Sequence, residues 1–434
     1  MENVYVASAA RTNFSEKWQT DRGVPIAEAE RSIYTGISGM VDAVLESAPE
    51  GFDPLRIGAG HLAAIEPSAF TGQTHLAAIL GTALRERISG FTTMPSTHHT
   101  NACASAGAAM FYARMAIQSG RTDAALVMGV EQMRTKRPVD VGRILACGMD
   151  RRTDDVEAPA HSFAELTRAY MKRYGFDDTA YDRAAGFVVN NDFTNARGNP
   201  NAQFRENSMT LELASAEHEA DAENADEFRG KGNARFTAHD ERFHPLKLRD
   251  FAQITDGAAA VLLISERYAR ELGMEEGVVV AGNSLQVDAL SLTDKLVGGS
   301  LPAHFDGFHN AAKIAMEEAG LDLAAGDARK MSWMELYDCF PITQLMILEH
   351  LGFAEPGKAF NLDGSFWEEW GPKIDASGGL LADGHPIGAT GARMVYELWN
   401  RLRDSEVGDM GMMTSVGDIF GSSQVAIFRN QKIE

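Results

Sequence analysis

The stretch STHHTNACASAGAAM (residues 96–110) surrounds Cys103 with residues that have very small side chains. A free cysteine in such a setting is often a buried small hydrophobe, because alanine and glycine let a helix pack closely against a sheet. Alternatively, a cysteine at the first turn of a helix is stabilised as a thiolate by backbone N–H groups and the helix dipole, which lower its pKa. Small neighbours would then leave space for a substrate. The stretch alone is compatible with both interpretations.

The composition is that of a folded protein with a sizeable core. The chain has 434 residues, of which 44% are hydrophobic and 23% are charged, and this excludes fibrous and disordered classes. It carries 40 Lys and Arg against 61 Asp and Glu, a net charge of −21. Binding of nucleic acid requires a basic surface, so we expect no nucleic-acid partner.

The sequence contains no recognisable signal peptide and no membrane span. The N-terminus lacks a basic region followed by an apolar core, and no run of 18 apolar residues occurs. The three cysteines, Cys103, Cys147 and Cys339, are too few and too far apart for a disulfide framework or a zinc site. We therefore expect a cytoplasmic protein without a bound metal.

Strands and helices alternate in two separate parts of the sequence. The first series starts with NVYVASAA (3–10) and the second with GVVVAGNSLQV (277–287), and each continues with amphipathic helices and apolar strands. Both series share one order, in which a small-residue turn and a reactive side chain precede a long helix and a strand. This repetition indicates an internal duplication, with helices covering a buried sheet.

We predict an α/β protein of two duplicated halves with one insertion. Residues 1–133 and 244–275 form the first half, which contains Cys103. Residues 134–243 lack strand patterns and form an inserted loop or cap domain. Residues 276–434 form the second half, which contains His385 and Cys339.

The stretch GGLLADGHPIGATGAR (378–393) places His385 between Gly384 and Pro386, just before a predicted helix. An isolated histidine is more often structural, but here glycine permits close backbone approach and proline fixes the helix entry. If the duplication brings the equivalent helix starts of the two halves together, Cys103 and His385 face each other. Such a pair is a nucleophile with its base.

Two further stretches contain candidate site residues. In ELYDCFPI (335–342), Tyr337, Asp338 and Cys339 end a predicted strand, which is where α/β sheets usually carry their chemistry. A simple cap of the strand end by Asp338 explains this stretch equally well. TSVGDIFGSS (414–423) is a Gly/Ser-rich turn between two strands and is weak evidence by itself.

Taken together, these motifs resemble the thiolase superfamily over essentially the full chain. NACASA (101–106) matches the nucleophile motif and GHPIGATGAR (384–393) the catalytic-histidine motif, and they stand in that order. DCF (338–340) and NARGNPNAQF (195–204) are most similar to the sterol-carrier-protein-2 branch. The resemblance implies the thiolase fold, in which two α/β/α halves have helices sandwiched between two mixed sheets.

The resemblance also implies a role for each motif residue. Cys103 would accept the acyl group, His385 would take the thiol proton, and Cys339 would be the second cysteine, which shuttles a proton to the leaving carbanion. The backbone N–H groups of Cys103 and Gly417 would form one oxyanion hole. The other would use His385 with Tyr337 or a water molecule.

Two positions depart from the family's pattern. Ser415 stands where the common degradative thiolases have a C-terminal cysteine, and Tyr337 replaces a group expected to bind the thioester oxygen. A tyrosine at this position favours a thiolase-like retro-aldolase that cleaves a 3-hydroxyacyl-CoA. The retained Cys103 favours acyl transfer, since a retro-aldol cleavage needs no acyl-enzyme.

We therefore predict thiolytic, degradative cleavage of a 3-ketoacyl-CoA through an acyl-Cys103 intermediate. No cofactor is bound in this scheme, and coenzyme A is a substrate. The same residues would catalyse the reverse Claisen condensation, so the direction stays open. A non-catalytic scaffold subunit is a further alternative, disfavoured by the retention of all three thiol-chemistry residues.

The remaining predictions concern binding partners. RTKRP (134–138) is the candidate site for the CoA phosphates, through Arg134, Lys136 and Arg137, although a solvated basic turn explains it equally well. The cap and SLTDKLVGGSLPAHF (291–305) are expected to line the acyl pocket. The resemblance implies a homodimer or a dimer of dimers and allows a small accessory subunit.

Overall fold

The computed structural model describes residues 2–18, 29–154, 157–215, 218–219, 234–235, 240–297 and 305–433. The strands are β1 (Val4–Arg11), β2 (Ile57–Ala63), β3 (Ser96–His99), β4 (Ala124–Gln132), β5 (His218–Glu219), β6 (Ala234–Arg235), β7 (Asp256–Ser265), β8 (Glu276–Val287), β9 (Trp333–Glu335), β10 (Met410–Gly417) and β11 (Ser422–Lys432).

Helices follow most of these strands. They are α1 (Ile33–Glu46), α2 (Pro67–Thr71), α3 (Leu76–Arg87), α4 (Ser105–Gln118), α5 (Pro138–Leu145), α6 (Pro159–Tyr174), α7 (Asp178–Ala196), α8 (Leu211–Ser215), α9 (Glu266–Glu271), α10 (Leu292–Val297), α11 (Asp306–Glu318), α12 (Pro341–His350), α13 (Gly364–Trp370) and α14 (Thr390–Leu402).

Nine strands form one mixed sheet in the order β3-β2-β4-β7-β1-β8-β11-β10-β9. β4 and β7 are buried along their whole length, as their apolar sequences predict. The sheet consists of two half-sheets, which are joined only where Tyr5 and Val6 of β1 pair with Val279 and Val278 of β8. The two mixed sheets expected from the sequence are therefore present, but their edges are joined into one sheet.

The helices that follow the two motifs, α4 and α14, pack against each other. The small residues at the start of α4 let α14 approach closely: a Cβ built at Gly391 would lie 3.0 Å from the backbone nitrogen of Gly107. α4 and α14 contribute to the same large core, whereas α1 and α3 cover the first half-sheet in a second core. Because Cys103 and His385 lie in the turns that lead into these two helices, the packing of the helices brings the two motifs together.

The turn that carries His385 also packs directly on the first half. A Cβ at Gly129 of β4 would lie only 2.2 Å from the carbonyl oxygen of Gly388. Side chains at these two positions would push the turn off the sheet. The glycines predicted to permit close backbone approach therefore serve the contact between the two halves.

Helices α5 to α8 lie between β4 and β7 in the chain, within the predicted insertion. α7 is fixed to the second half, since the Asn195 side chain donates to the carbonyl oxygens of Gly371, Ile374 and Asp375. The domain limits at residues 134 and 243 stay predictions. Within the described ranges, no helix combines the length and apolarity that a membrane crossing requires.

Candidate active site

A cavity of about 910 Å³ opens beside the start of α4. Cys103, Cys339 and His385 all line it, although they come from different halves of the sequence. The structure therefore brings together the residues predicted to be nucleophile, second thiol and base. Phe163 and Phe340 stack with their ring centroids 4.0 Å apart and add an apolar wall.

The turn before α4 presents the sulfur of Cys103 to this cavity. Ala102 has a left-handed backbone with φ of 46°, and Ser105 holds the turn by accepting from the Asn101 N–H and donating to the Ala102 carbonyl oxygen. The hydroxyl of Tyr337 and the backbone N–H of Asp418 approach the sulfur and lower its pKa through hydrogen bonding. Cys103 therefore precedes the helix, and its neighbours come from the second half.

The prediction that the helix start lowers the pKa of Cys103 is wrong. Burial, and then the negative charge of Asp418, raise the pKa of this thiol to about 12, although hydrogen bonding to Tyr337 and to the backbone of Asp418 opposes the rise. α4 begins only at Ser105, with Ala104 as its N-cap, so the sulfur lies before the helix rather than in its first turn. A proton acceptor is therefore needed to activate the thiol.

Both the backbone and the ring of His385 are held by hydrogen bonds. Its backbone N–H donates to Thr255 Oγ1 over 3.1 Å. Thr390 Oγ1 donates to the Pro386 carbonyl oxygen and accepts from Nδ1 of the ring over 2.7 Å, which assigns the ring proton to Nδ1. Burial, and then the charge of Arg393, lower the pKa of His385 to about 3. The imidazole is therefore neutral, with Nε2 available as an acceptor.

Tyr337 occupies the space between the predicted nucleophile and base. Its hydroxyl lies 3.1 Å from Nε2 of His385 and also interacts with the thiol of Cys103, which contributes to the raised pKa of the phenol. The side chain is fully buried, and burial raises its pKa well above the ordinary value. The predicted face-to-face pair is thus bridged by a phenol, which its position two residues before Cys339 did not reveal.

Cys339 lies at the same end of the cavity as Phe340. Its sulfur is 3.9 Å from Thr343 Oγ1, and burial followed by the charge on Cys103 raises its pKa. The neutral thiol is therefore its resting form. Such a group can donate a proton to a carbanion that forms near Cys103.

Asp338 connects the strand end to the turn before His385. Its carboxylate accepts the N–H groups of Leu380 at 2.8 Å and Leu381 at 3.2 Å. Oxygens of Asp338, Asp192 and Asp375 all lie within 4.8 Å of one another, close enough for these buried groups to share protons or hold a cation. Burial raises the pKa of each of the three carboxyl groups. Asp338 is thus more than the cap of a strand end.

Gly417 ends β10 opposite Ser422, and a Cβ there would lie 2.8 Å from the carbonyl oxygen of Asn101. The backbone N–H that reaches the sulfur of Cys103 belongs to the next residue, Asp418. Ser415 lies within hydrogen-bond distance of the Cys103 carbonyl oxygen, at 3.4 Å. The C-terminal strand therefore supports the nucleophile without supplying a second thiol.

The predicted phosphate-binding residues separate in the structure. Arg134 lines the cavity, and its guanidinium donates to the carbonyl oxygens of Ile254 and Glu16. Lys136 and Arg137 do not belong to the cavity lining, and Arg137 is paired with Asp140. The exposed ion pair of Arg137 is what a solvated basic turn implies, and a role of this residue in CoA binding stays a prediction.

Other basic residues in the cavity wall were missed by the sequence reasoning. Arg143 of α5 lines the cavity. Arg249 lies over the rings of Phe193 and Phe204, with its guanidinium carbon 5.7 and 5.0 Å from their centroids. Neither stands in a basic cluster, so only the folded chain reveals them.

The stretch 291–305 does not behave as predicted over its described part. Residues 291–297 and Phe305 are absent from the cavity lining, and residues 298–304 lie outside the described part of the chain. The cavity is instead lined from the cap, for example by Phe163, and by Phe251.

Family models match both halves. The thiolase N-terminal domain matches residues 4–267, and the thiolase C-terminal domain-like model matches residues 299–430. The chain belongs to the thiolase family. This confirms the resemblance drawn from the two motifs.

Relatives and a solved structure agree with this membership. The chain is 29% identical to the acetyl-CoA acetyltransferase of Methanothermobacter thermautotrophicus, over 99% of this chain and 100% of the relative. It is 26% identical to sterol carrier protein 2 of Gallus gallus, over 72% of this chain and 54% of that protein. The Ltp2-ChsH2(DUF35) aldolase has the same fold, with a TM-score of 0.68, 18% identity and coverage of 98% and 97%. The thiolase fold and the similarity to the sterol-carrier-protein-2 branch are thus confirmed.

Proposed function

We propose that this protein is a thiolase-type acyltransferase that cleaves a 3-ketoacyl-CoA with coenzyme A through an acyl-Cys103 intermediate. One observation carries the proposal: the hydroxyl of Tyr337 contacts both the Cys103 sulfur and Nε2 of His385, at the wall of a cavity. A thiol, a neutral base and a proton path between them are what acyl transfer to sulfur requires. The name of the archaeal relative, acetyl-CoA acetyltransferase, supports this reaction class.

The first step activates the nucleophile. The Cys103 proton passes to the Tyr337 oxygen as the phenol proton passes to Nε2 of His385, so no free phenolate forms. The sulfur then attacks the 3-keto carbon of the substrate and gives a tetrahedral oxyanion. The neutral state of His385, which follows from the burial that lowers its pKa, keeps Nε2 ready to accept.

The second step breaks the bond between C2 and C3. Its electron pair forms the enolate of acetyl-CoA, which takes a proton from the thiol of Cys339 and leaves, while the shortened acyl group stays on Cys103. Coenzyme A then gives its thiol proton to the Cys339 thiolate and attacks the thioester. The bond between the acyl group and Cys103 breaks, the new acyl-CoA leaves, and Cys103 takes back its proton from His385 through Tyr337. The Claisen condensation is the exact reverse, so the thiolytic direction is part of the proposal.

Two elements stabilise charge and bind substrate in this scheme. The backbone N–H groups of Cys103 and Asp418 stabilise the oxyanion of the tetrahedral intermediate that forms on Cys103. Asp418 thus takes the role predicted from the sequence for Gly417. Each such donor is worth about 3–4 kcal/mol. Arg134 and Arg143 of the cavity wall attract the CoA phosphates. Coenzyme A is a substrate here, and the reaction needs no further cofactor.

We also propose a homodimer in the cytoplasm, formed through the edge strand β3. Thr97 and His98 on this edge are exposed, and Tyr112 and Met115 of the adjacent α4 are 46% and 49% exposed. Unpaired strand edges and apolar residues are typical of surfaces that pair with another chain. A small accessory subunit remains part of the proposal because the similar aldolase structure names a DUF35 component.

Retro-aldol cleavage of a 3-hydroxyacyl-CoA is the second candidate. It is favoured by the contact between the Tyr337 hydroxyl and His385, which would let the tyrosine take the proton of a 3-hydroxyl group. In that case Cys103 would not become acylated.

Acyl labelling separates the two reactions. After incubation with acetyl-CoA or a 3-ketoacyl-CoA, we expect one added acyl group per chain, and peptide mapping by mass spectrometry should place it on Cys103. Cys103→Ala should abolish the label, and Cys147→Ala is the matched control that should retain it. An acyl group that persists in Cys103→Ala would exclude the proposed intermediate.

A further inference from the structure

Asp418 is a charged residue of the active site that the proposed reaction uses only through its backbone. The side chain is 8% exposed, and the residue lines the same cavity as Cys103. Its backbone has a φ of 50° and presents the N–H to the Cys103 sulfur. The carboxylate lies against Gly148, where a Cβ would be 2.3 Å from one carboxylate oxygen.

The carboxylate and the sulfur interact electrostatically. Among the influences on Cys103, the charge of Asp418 is second only to burial, and it opposes formation of the thiolate. In a site of low polarity, two neighbouring groups of like charge do not both ionise at their ordinary pH. The structure therefore couples the charge of Asp418 to that of the nucleophile.

We propose that Asp418 controls the ionisation of Cys103, so that the thiolate forms readily only when the Asp418 carboxyl group is neutral. Asp418 thus does not act on the substrate. It is a positioning residue that acts through the ionisation of Cys103. This inference rests on the proposed function only in taking Cys103 as the nucleophile.

The surroundings of Asp418 keep it near the balance between its two forms. Burial raises the pKa of its carboxyl group to about 7; the charge of Lys295 opposes this rise, and that of Asp154 adds to it. Lys295 is 5% exposed, and its ammonium group donates to the carbonyl oxygen of Ile419. The thiol of Cys147 also faces Asp418.

Other titratable groups face Cys103 itself. They are Tyr337, whose hydroxyl approaches the sulfur, Glu131 and Cys339, and His385 at the far side of the tyrosine. Glu131 accepts the N–H groups of Ile65 and Gly388 and so has a structural role in holding the turn. Asp418 differs from these groups because its backbone N–H acts on the sulfur and its carboxylate belongs to the cavity lining.

The test is the pH dependence of Cys103 alkylation by iodoacetamide, located by peptide mapping. Asp418→Asn and Asp418→Gly both remove the charge and both tolerate a left-handed backbone. We expect each to move the alkylation midpoint to lower pH. Each unit of lowered thiol pKa should raise the rate at neutral pH roughly threefold, because ten times more thiolate is offset by its lower nucleophilicity.

Asp240→Asn is the matched control, since Asp240 lines the same cavity but is paired with Arg242; it should leave the midpoint unchanged. An unchanged or raised midpoint in either Asp418 variant would overturn the inference. The wild type provides a second test that needs no variant: its alkylation rate should rise less steeply with pH once Asp418 ionises, and an unbroken single titration would also overturn it. Alkylation requires no acyl transfer, so these outcomes are independent of the acyl-labelling result.

Discussion

The starts of α4 and α14 are equivalent in the duplicated fold, but they hold their reactive residues by different means. At α4 the turn around Cys103 is shaped through its backbone, with Ala102 in a left-handed conformation and Ser105 bonded to the main chain on both sides. At α14 the ring of His385 is held by side chains, through Thr390 and Tyr337.

This difference corresponds to the chemistry that each residue performs. A nucleophile must carry different groups on its sulfur, so contacts to its backbone fix the position and leave the sulfur accessible. A base must keep one nitrogen unprotonated, so a side-chain contact to the other nitrogen fixes the tautomer. One framework used twice can therefore produce two roles, because the side chains around each helix start differ.

The largest expected effect concerns the base. His385→Ala should lower the rate of Cys103 acylation by about 10²- to 10⁴-fold, because it removes the final proton acceptor. Cys339→Ala is the comparison variant and should acylate normally from acetyl-CoA while losing 3-ketoacyl-CoA turnover. Single-turnover acylation measures both, and equal acylation by the two variants would show that the roles are assigned wrongly.

A related prediction concerns the pH dependence of Cys103 acylation in the wild type. Since burial lowers the pKa of His385 to about 3, this base stays neutral at every pH above that value. Acylation should therefore show no loss near pH 6.5, where an ordinary histidine becomes protonated, and should rise with pH as Cys103 ionises. An acid limb centred near 6.5 that disappears in His385→Gln would contradict this account of the base.

An intermediate effect is expected for Tyr337, which lies between Cys103 and His385. Tyr337→Phe keeps the ring but removes the hydroxyl, so proton transfer must proceed through solvent, and the thiolase rate should fall roughly 10²-fold. The rate measured with a 3-ketoacyl-CoA and coenzyme A tests this, alongside Tyr181→Phe of the cap, whose hydroxyl binds Asp250, as a control. A Tyr337→Phe variant with full activity would mean that Cys103 and His385 act without the phenol.

The smallest effects compare two hydroxyl groups directly. Thr390→Val removes the partner of Nδ1 and should lower kcat about fivefold, which corresponds to one hydrogen bond of about 1 kcal/mol. Ser105→Ala removes support of the backbone turn and should lower the free energy of unfolding by about 1 kcal/mol, with a smaller change in kcat. Thermal unfolding and steady-state kinetics on both variants test this difference. A larger loss of kcat in Ser105→Ala than in Thr390→Val would contradict it.

The fold, and the placement of the motif residues at one cavity, could be predicted from the sequence. Cys103, His385 and Cys339 each lie in a stretch with small residues or at a strand end, and all three line the cavity. The alternation of strands and helices predicted the duplicated sheet, because periodicity reflects which face of each element is buried. It could not reveal the edge-to-edge pairing of β1 with β8, which involves only two residue pairs.

Features that depend on long-range placement could not be predicted. Tyr337 was identified as a site candidate at a strand end and as a departure from the family's pattern, but its position between Cys103 and His385 depends on the packing of α4 against α14. Asp418 lies in a turn with no periodic pattern, and its interaction with Cys103 joins residues more than 300 positions apart. Arg249 lies outside any basic cluster, so its place in the cavity wall follows from the fold alone.

The central claim is that chemistry proceeds on the sulfur of Cys103, with Tyr337 as a proton carrier. Product release by Cys103→Ala, measured with a 3-ketoacyl-CoA plus coenzyme A and separately with a 3-hydroxyacyl-CoA, tests it most directly. We expect no turnover of either substrate above background, while the wild type releases acetyl-CoA from the first. Release of an aldehyde or ketone from the 3-hydroxyacyl-CoA by Cys103→Ala at near the wild-type rate would contradict the account and identify a retro-aldolase instead.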